Sequence, residues 1–100
     1  MKFGLNDTEI SQISSVLSVY PDVSEAIIYG SRVKGTYRSS SDIDLALKGG
    51  LTFDVVAKIH AQLNEMTPLP YFFDVLDYNQ LSNQDLKEHI DTVGRILYQC

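Results

Sequence analysis

The chain has one cysteine, Cys100, no tryptophan and only two histidines, His60 and His89. A lone cysteine forms no internal disulfide, which fits a reducing compartment. Without a Cys/His cluster, the usual ligand set for zinc is missing. Positive charge is also scarce: eight Lys and Arg stand against thirteen Asp and Glu, for a formal net charge of −5. A dedicated nucleic-acid binder draws its affinity from basic side chains that displace phosphate counterions. Direct nucleic-acid binding is therefore disfavoured, and any phosphate site must be local. The longest apolar run, Ala26 to Tyr29, spans four residues where a bilayer helix needs roughly 20. Met1-Lys2-Phe3-Gly4 opens no apolar signal-peptide region. These absences predict a soluble, cytoplasmic protein that does not contact a membrane. What is present is ordinary for a globular chain: 44% apolar and 21% charged residues over 100 positions, enough for one domain, 1–100, around one small core.

Local signals order that domain. Asn6 and Glu9 have the spacing of a capping box, with Leu5 placed to staple against Ile10, so a helix starts there with Ile10, Ile13 and Leu17 as its stripe. Pro21-Asp22 breaks the pattern, and Ala26 to Tyr29 reads as a buried strand running into Gly30-Ser31. Ser31 to Gly35 reads as one helical turn, Thr36 to Ser41 as a loop, and Asp42 to Leu47 as a strand with Ile43, Leu45 and Leu47 facing the core. After Gly49-Gly50, Thr52 caps a helix striped by Val56, Ile59, Leu63 and Met66, which Pro68 and Pro70 end. Tyr71 to Leu76 is strand-like. Ser82 with Asp85 opens a further helix with Leu86, Ile90 and Val93 inward, Gly94 stops it, and Arg95 to Tyr98 adds a last strand. The order predicts an α+β fold, an α/β sandwich in which a small mixed β-sheet is flanked by helices. Whether Asp42–Leu47 and Tyr71–Leu76 pair in parallel stays open.

The informative cluster is Gly30-Ser31 followed, after ten residues, by Asp42-Ile43-Asp44. At ordinary composition such a four-residue match arises by accident in roughly one chain of this length per thousand. Glycine permits close backbone approach to a ligand, and the helical turn after it points N–H groups at an anion. Arg32, Lys34 and Arg38 gather positive charge beside that turn in an otherwise acidic chain. Asp42 and Asp44, two apart on a strand, project to one side, and two aspartates among Ile, Leu and Ala run against strand propensity, as functional positions often do. Carboxylate oxygens select hard ions, so Mg²⁺ is expected, as two ions clamping a phosphoryl transfer, with Mn²⁺ as a substitute. An EF-hand reading fails because Ala46 and Leu47 stand where that loop needs Asp or Asn and then Gly. A third acid is wanted to complete the metal shell and to take a proton from an attacking hydroxyl. Asp74, inside Phe72-Phe73-Asp74-Val75-Leu76, and Asp77, at its exit, compete for that role. Asp74 is favoured because an acid inside a strand needs a reason to be there. His60 and His89 are expected on exposed helix surfaces without a function, and the tyrosines read as core or rim, with Tyr37 the one placed to contact a ligand.

The stretch from Gly30 to Leu45 resembles the signature of the DNA polymerase β-like nucleotidyltransferase superfamily, Gly-Ser, ten residues, then Asp-x-Asp, and Phe73-Asp74-Val75-Leu76 resembles its third-carboxylate strand. At this length the chain looks like the minimal nucleotidyltransferases, with Val33 standing where the family usually has a small residue. The resemblance implies that Gly30 and Ser31 hold nucleotide phosphates, that Asp42 and Asp44 bind two Mg²⁺, and that Asp74 completes the site. It also implies a nucleoside triphosphate substrate, ATP by preference, and a separate helical HEPN-type protein as partner. In such pairs the minimal enzyme is the antitoxin, and some members transfer AMP onto a tyrosine of the toxin. A chain this short leaves the acceptor pocket to another protein or a second copy, hence a homo- or hetero-oligomer. The competing expectation is a binding module that neutralises its partner by complex formation.

Overall fold

The computed structural model describes residues 2–100. Its elements run α1 (Asp7–Ser18), β1 (Val23–Tyr29), α2 (Ser31–Lys34), β2 (Ile43–Gly49), α3 (Phe53–Glu65), β3 (Phe73–Asp77), a 3₁₀ turn (Tyr78–Gln80), α4 (Gln84–Val93) and β4 (Arg95–Gln99). The four strands form one mixed sheet in the order β3-β2-β1-β4. β1 pairs antiparallel with both β2 and β4, whereas β2 and β3 are parallel, joined through α3. That settles the pairing the sequence leaves open.

The sheet is apolar on both faces, but unequally. Ile28 of β1, Ile43, Leu45 and Leu47 of β2 and Phe73 of β3 bury against Ile13 and Leu17 of α1 and Ile59 and Leu63 of α3. The alternation of a strand sends their neighbours to the opposite face, where Ile27, Tyr29 and Ala46 pack under Ile90 of α4. Full burial of each large aliphatic side chain stabilises the fold by about 1.5–3 kcal/mol, so the first face dominates. The second face is thinner and is where Asp44 emerges.

Local chemistry fixes the helix ends. Asn6 Oδ1 accepts from the Glu9 N–H at 2.8 Å while Glu9 Oε1 accepts from the Asn6 N–H at 3.0 Å, completing the capping box. Thr52 caps α3 through a hydrogen bond from the Val55 N–H at 3.2 Å. At α4 the cap is Asn83 rather than Ser82: its Oδ1 accepts from Leu86 N–H at 3.1 Å, and Asn is as good a cap as Ser. Met66, expected on the α3 stripe, lies past the end of the helix and is 76% exposed. β1 begins three residues earlier than its apolar run, and β3 begins at Phe73 rather than Tyr71. Among the described residues no helix is long and apolar enough to cross a membrane.

Candidate active site

Two strand pairings assemble the site. The parallel register places Asp44 of β2 directly beside Asp74 of β3, and the antiparallel register places it beside Tyr29, the last residue of β1. Asp42 stands one residue ahead of β2 and is exposed. The electrostatics report the same convergence. Burial raises the Asp44 carboxyl above its ordinary value, and the charges of Asp74 and then Asp42 push it further the same way. The Tyr29 hydroxyl is raised too, by burial first and then by Asp44 and Asp74. Three carboxylates therefore feel one another at the C-terminal end of β1, and each cause acting on Asp44 disfavours its charge.

Gly30 sits against this group. Its φ of 78° and ψ of −150° lie where side chains are strained, and a Cβ built on it would collide with Asp44 Oδ2. Glycine is required on both counts. The Gly30 carbonyl accepts from the N–H groups of Val33 at 3.2 Å and Lys34 at 3.1 Å, closing the α2 turn. Ser31 opens that turn and is half-buried.

A residue the sequence reading set aside also belongs here. His89 of α4 accepts the Gly30 N–H on its Nε2 at 3.2 Å and packs edge-on against Tyr29, with ring centroids 6.0 Å apart. It is half-buried rather than exposed. The one available signal was its helical spacing: three residues after Leu86 and one before Ile90, it flanks the apolar stripe. Nothing local ties it to a glycine 59 positions away.

The basic residues separate. Lys34 and Arg38 are exposed around the end of α2. Arg32, expected beside a nucleotide, is instead 2% exposed, and its guanidinium donates to the carbonyls of Phe3, Ser39 and Ser41. It also lies over the Tyr37 and Tyr71 rings, 5.4 and 4.7 Å from their centroids. Tyr37 is thus occupied with Arg32 as well. Burial and five-donor geometry explain the difference: a planar fork packed against two rings satisfies carbonyls well and leaves little for a phosphate.

The donor set suits a hard cation, being all carboxylate oxygen. Burial and the neighbouring acids together disfavour the charged form of Asp44, a cost that a nearby cation would offset. Even so, among the described residues no three His, Cys, Asp or Glu side chains close around a point that would hold an ion. Asp42, Asp44 and Asp74 are the carboxylates that could contribute to one.

The profile of the family described as Polymerase beta, Nucleotidyltransferase matches residues 11–100. The chain belongs to this nucleotidyltransferase family. The match covers every element of the site from β1 through α4. No curated protein matches the chain by sequence. Among solved structures, a chain of a toxin–antitoxin crystal structure with AMP-PNP superposes with a TM-score of 0.72 at 22% identity, covering 96% of this chain and 75% of that one. A chain from the complex of tri-AMPylated Shewanella oneidensis HEPN toxin with MNT antitoxin gives 0.68 at 19% identity, covering 91% and 70%. A nucleotidyltransferase-like protein of Sulfolobus solfataricus gives 0.52 at 22% identity, covering 91% and 75%. At these identities the likeness is one of fold: a small mixed four-stranded sheet with flanking helices, as the sequence predicts.

Proposed function

We propose that this nucleotidyltransferase moves a nucleoside monophosphate, AMP from ATP, to a hydroxyl on a helical HEPN-type partner, and that this modification makes it an antitoxin. The observation that carries the reading is the register pair Asp44–Asp74, with Gly30 closed against Asp44. Asp42 and Asp44, joined by Asp74, would hold Mg²⁺, or Mn²⁺ in its place. When bound, the cation supplies positive charge to the phosphates and relieves the repulsion among the acids.

The chain's own residues then have distinct tasks. The turn at Gly30-Ser31 receives the phosphates on the N–H groups that open α2 and on the Ser31 hydroxyl. Lys34 and Arg38, exposed around the end of α2, would screen a triphosphate's outer charge. Asp74, exposed on the edge strand, accepts the proton as the acceptor oxygen bonds to the α-phosphorus and the bond to the β-phosphate oxygen breaks, releasing pyrophosphate. Structural similarity to the AMPylated toxin complex and to the AMP-PNP complex supports the choice of adenine nucleotide and partner.

One observation favours a second reading. The three acids do not close around a common point, as expected of a binding module that neutralises its partner by complex formation alone. Incubation with the HEPN-type partner, Mg²⁺ and ATP labelled on the α- or the γ-phosphate separates these. Transfer of α-label alone establishes nucleotidylation; γ-label transfer would mean a kinase. Transfer of neither, with neutralisation surviving in Asp42→Asn/Asp44→Asn, would establish the binding module.

A further inference from the structure

The geometry points to Arg32 as the positioning residue that couples the phosphate turn to Asp42, an assignment that rests on the proposed metal–nucleotide site and gives Arg32 no contact with the nucleotide. Arg32 follows Ser31 directly in α2. Its Nε and Nη2 both reach the Ser41 carbonyl, at 3.2 and 2.9 Å, so the fork grips the peptide immediately before Asp42. The same Nη2 reaches the Ser39 carbonyl at 3.3 Å, and Nη1 the Phe3 carbonyl at 2.9 Å.

Ser41 is held at its other groups as well. Its hydroxyl accepts from the Arg38 N–H at 2.7 Å, and its own N–H donates to the Arg38 carbonyl at 3.0 Å. On the far side of Asp42, the Ile43 N–H donates to the Phe72 carbonyl at 2.9 Å. The backbone of an exposed aspartate is therefore pinned from both sides, once by the sheet and once by Arg32. The guanidinium lies over both the Tyr37 and Tyr71 rings, and Gly4 leaves room for it: a Cβ there would meet the Tyr37 ring and Arg32 Nη1. A buried cation satisfied by carbonyls and aromatic faces is pre-organised, so it fixes the distance from Ser31 to Asp42 without using either functional group.

The test uses Arg32→Lys, which keeps the charge and removes the fork, and Tyr37→Leu, which removes one of the two ring contacts at a partly exposed position. Mn²⁺ binding to the nucleotide-free protein is followed by electron paramagnetic resonance, ATP binding in EDTA by calorimetry, and amide exchange over residues 38–44 by mass spectrometry. Arg32→Lys should weaken Mn²⁺ binding about tenfold or more, as loss of supporting contacts does at metal sites. It should leave metal-free ATP affinity unchanged and speed exchange at 38–44 while α4 stays protected. Tyr37→Leu should give a smaller loss in the same direction. Loss of metal-free ATP affinity with Mn²⁺ binding intact would make Arg32 a phosphate ligand and overturn the proposal. So would a lowered melting temperature with unchanged Mn²⁺ binding and unchanged exchange at 38–44. Wild-type protein that binds neither Mn²⁺ nor ATP would overturn the reading of the site itself, and the proposal with it.

Discussion

Replacing Asp44 by Asn should make the metal-free protein more stable and deprive it of stabilisation by divalent cations. Asp44 and Asp74 occupy paired positions on adjacent strands, which lie roughly 5 Å apart. Two unit charges at about that distance repel by about 0.8 kcal/mol in water and about 3 kcal/mol at an effective dielectric of 20. Asp44 is half-buried and Asp74 exposed, so a gain of about 1 kcal/mol is expected, worth about 4–8 °C in melting temperature for a domain of this size. The pH dependence follows from the sign of the shift. The folded-state value of Asp44 is raised, so its penalty is absent below the ordinary carboxylate value, grows as pH rises through it, and is complete above the raised value. The variant's advantage should accordingly be present at neutral pH and vanish in acid. With 10 mM Mg²⁺ and a dissociation constant of about 1 mM, the wild type should gain about 1.4 kcal/mol and the variant almost nothing. Thermal melts in EDTA and in Mg²⁺, at neutral and acid pH, check both halves. A variant less stable than wild type in EDTA, or equally stabilised by Mg²⁺, would refute the idea that these acids are a charge cluster awaiting a cation.

Other perturbations probe neighbouring contacts. Gly30→Ala combines a positive φ with a collision against Asp44, so it should cost about 1–3 kcal/mol in urea unfolding and abolish ATP binding in the fraction that folds. His89→Leu leaves the Gly30 N–H without its acceptor and should cost about 1–3 kcal/mol, whereas His89→Gln keeps an acceptor and should recover part of it; equal losses in both would mean that packing alone is at work. The Tyr71 hydroxyl donates to Glu9 Oε2 at 2.6 Å and is the largest cause holding the Glu9 carboxyl below its usual range. That contribution is present above the ordinary glutamate value and lost as pH falls through the lowered one. Because Glu9 is only partly buried, solvent screens the pair and Tyr71→Phe should lower stability by only about 0.5 kcal/mol at pH 7. The difference should disappear in acid, as chemical denaturation across pH would show.

Much of this architecture was legible because it is written locally. The capping box at Asn6 and Glu9, the cap at Thr52, the alternation of Ile43, Leu45 and Leu47 and the stop at Gly94 need only neighbours a few residues away. Gly30-Ser31 and Asp42-Ile43-Asp44 were legible for another reason: a glycine before a helical turn, and acids at the mouth of and inside an apolar strand, conflict with propensity, although Asp42 proves to lie just ahead of β2. The register that sets Asp44 beside Asp74 was not, since it depends on how α3 returns the chain. The burial of Arg32 was not legible because sequence shows a charge beside a phosphate turn but not the direction of its side chain, and the carbonyls that hold it come from Phe3, Ser39 and Ser41. His89 escaped because its partner is a backbone N–H far along the chain.

The position of β3 at the edge of the sheet has a consequence for how the protein fails. Within the sheet β3 pairs with β2 alone, and Asn64 of α3 anchors its first residue at the Phe73 N–H and carbonyl, so the strand beyond Phe73 can peel away while β1, β2 and β4 stay paired. Sub-global openings of that kind cost less free energy than complete unfolding. Because Asp74 leaves with β3 while Gly30, Ser31, Asp42 and Asp44 stay behind, warming should silence the reaction several degrees before the far-ultraviolet signal melts, and nucleotide binding should outlast turnover in that interval.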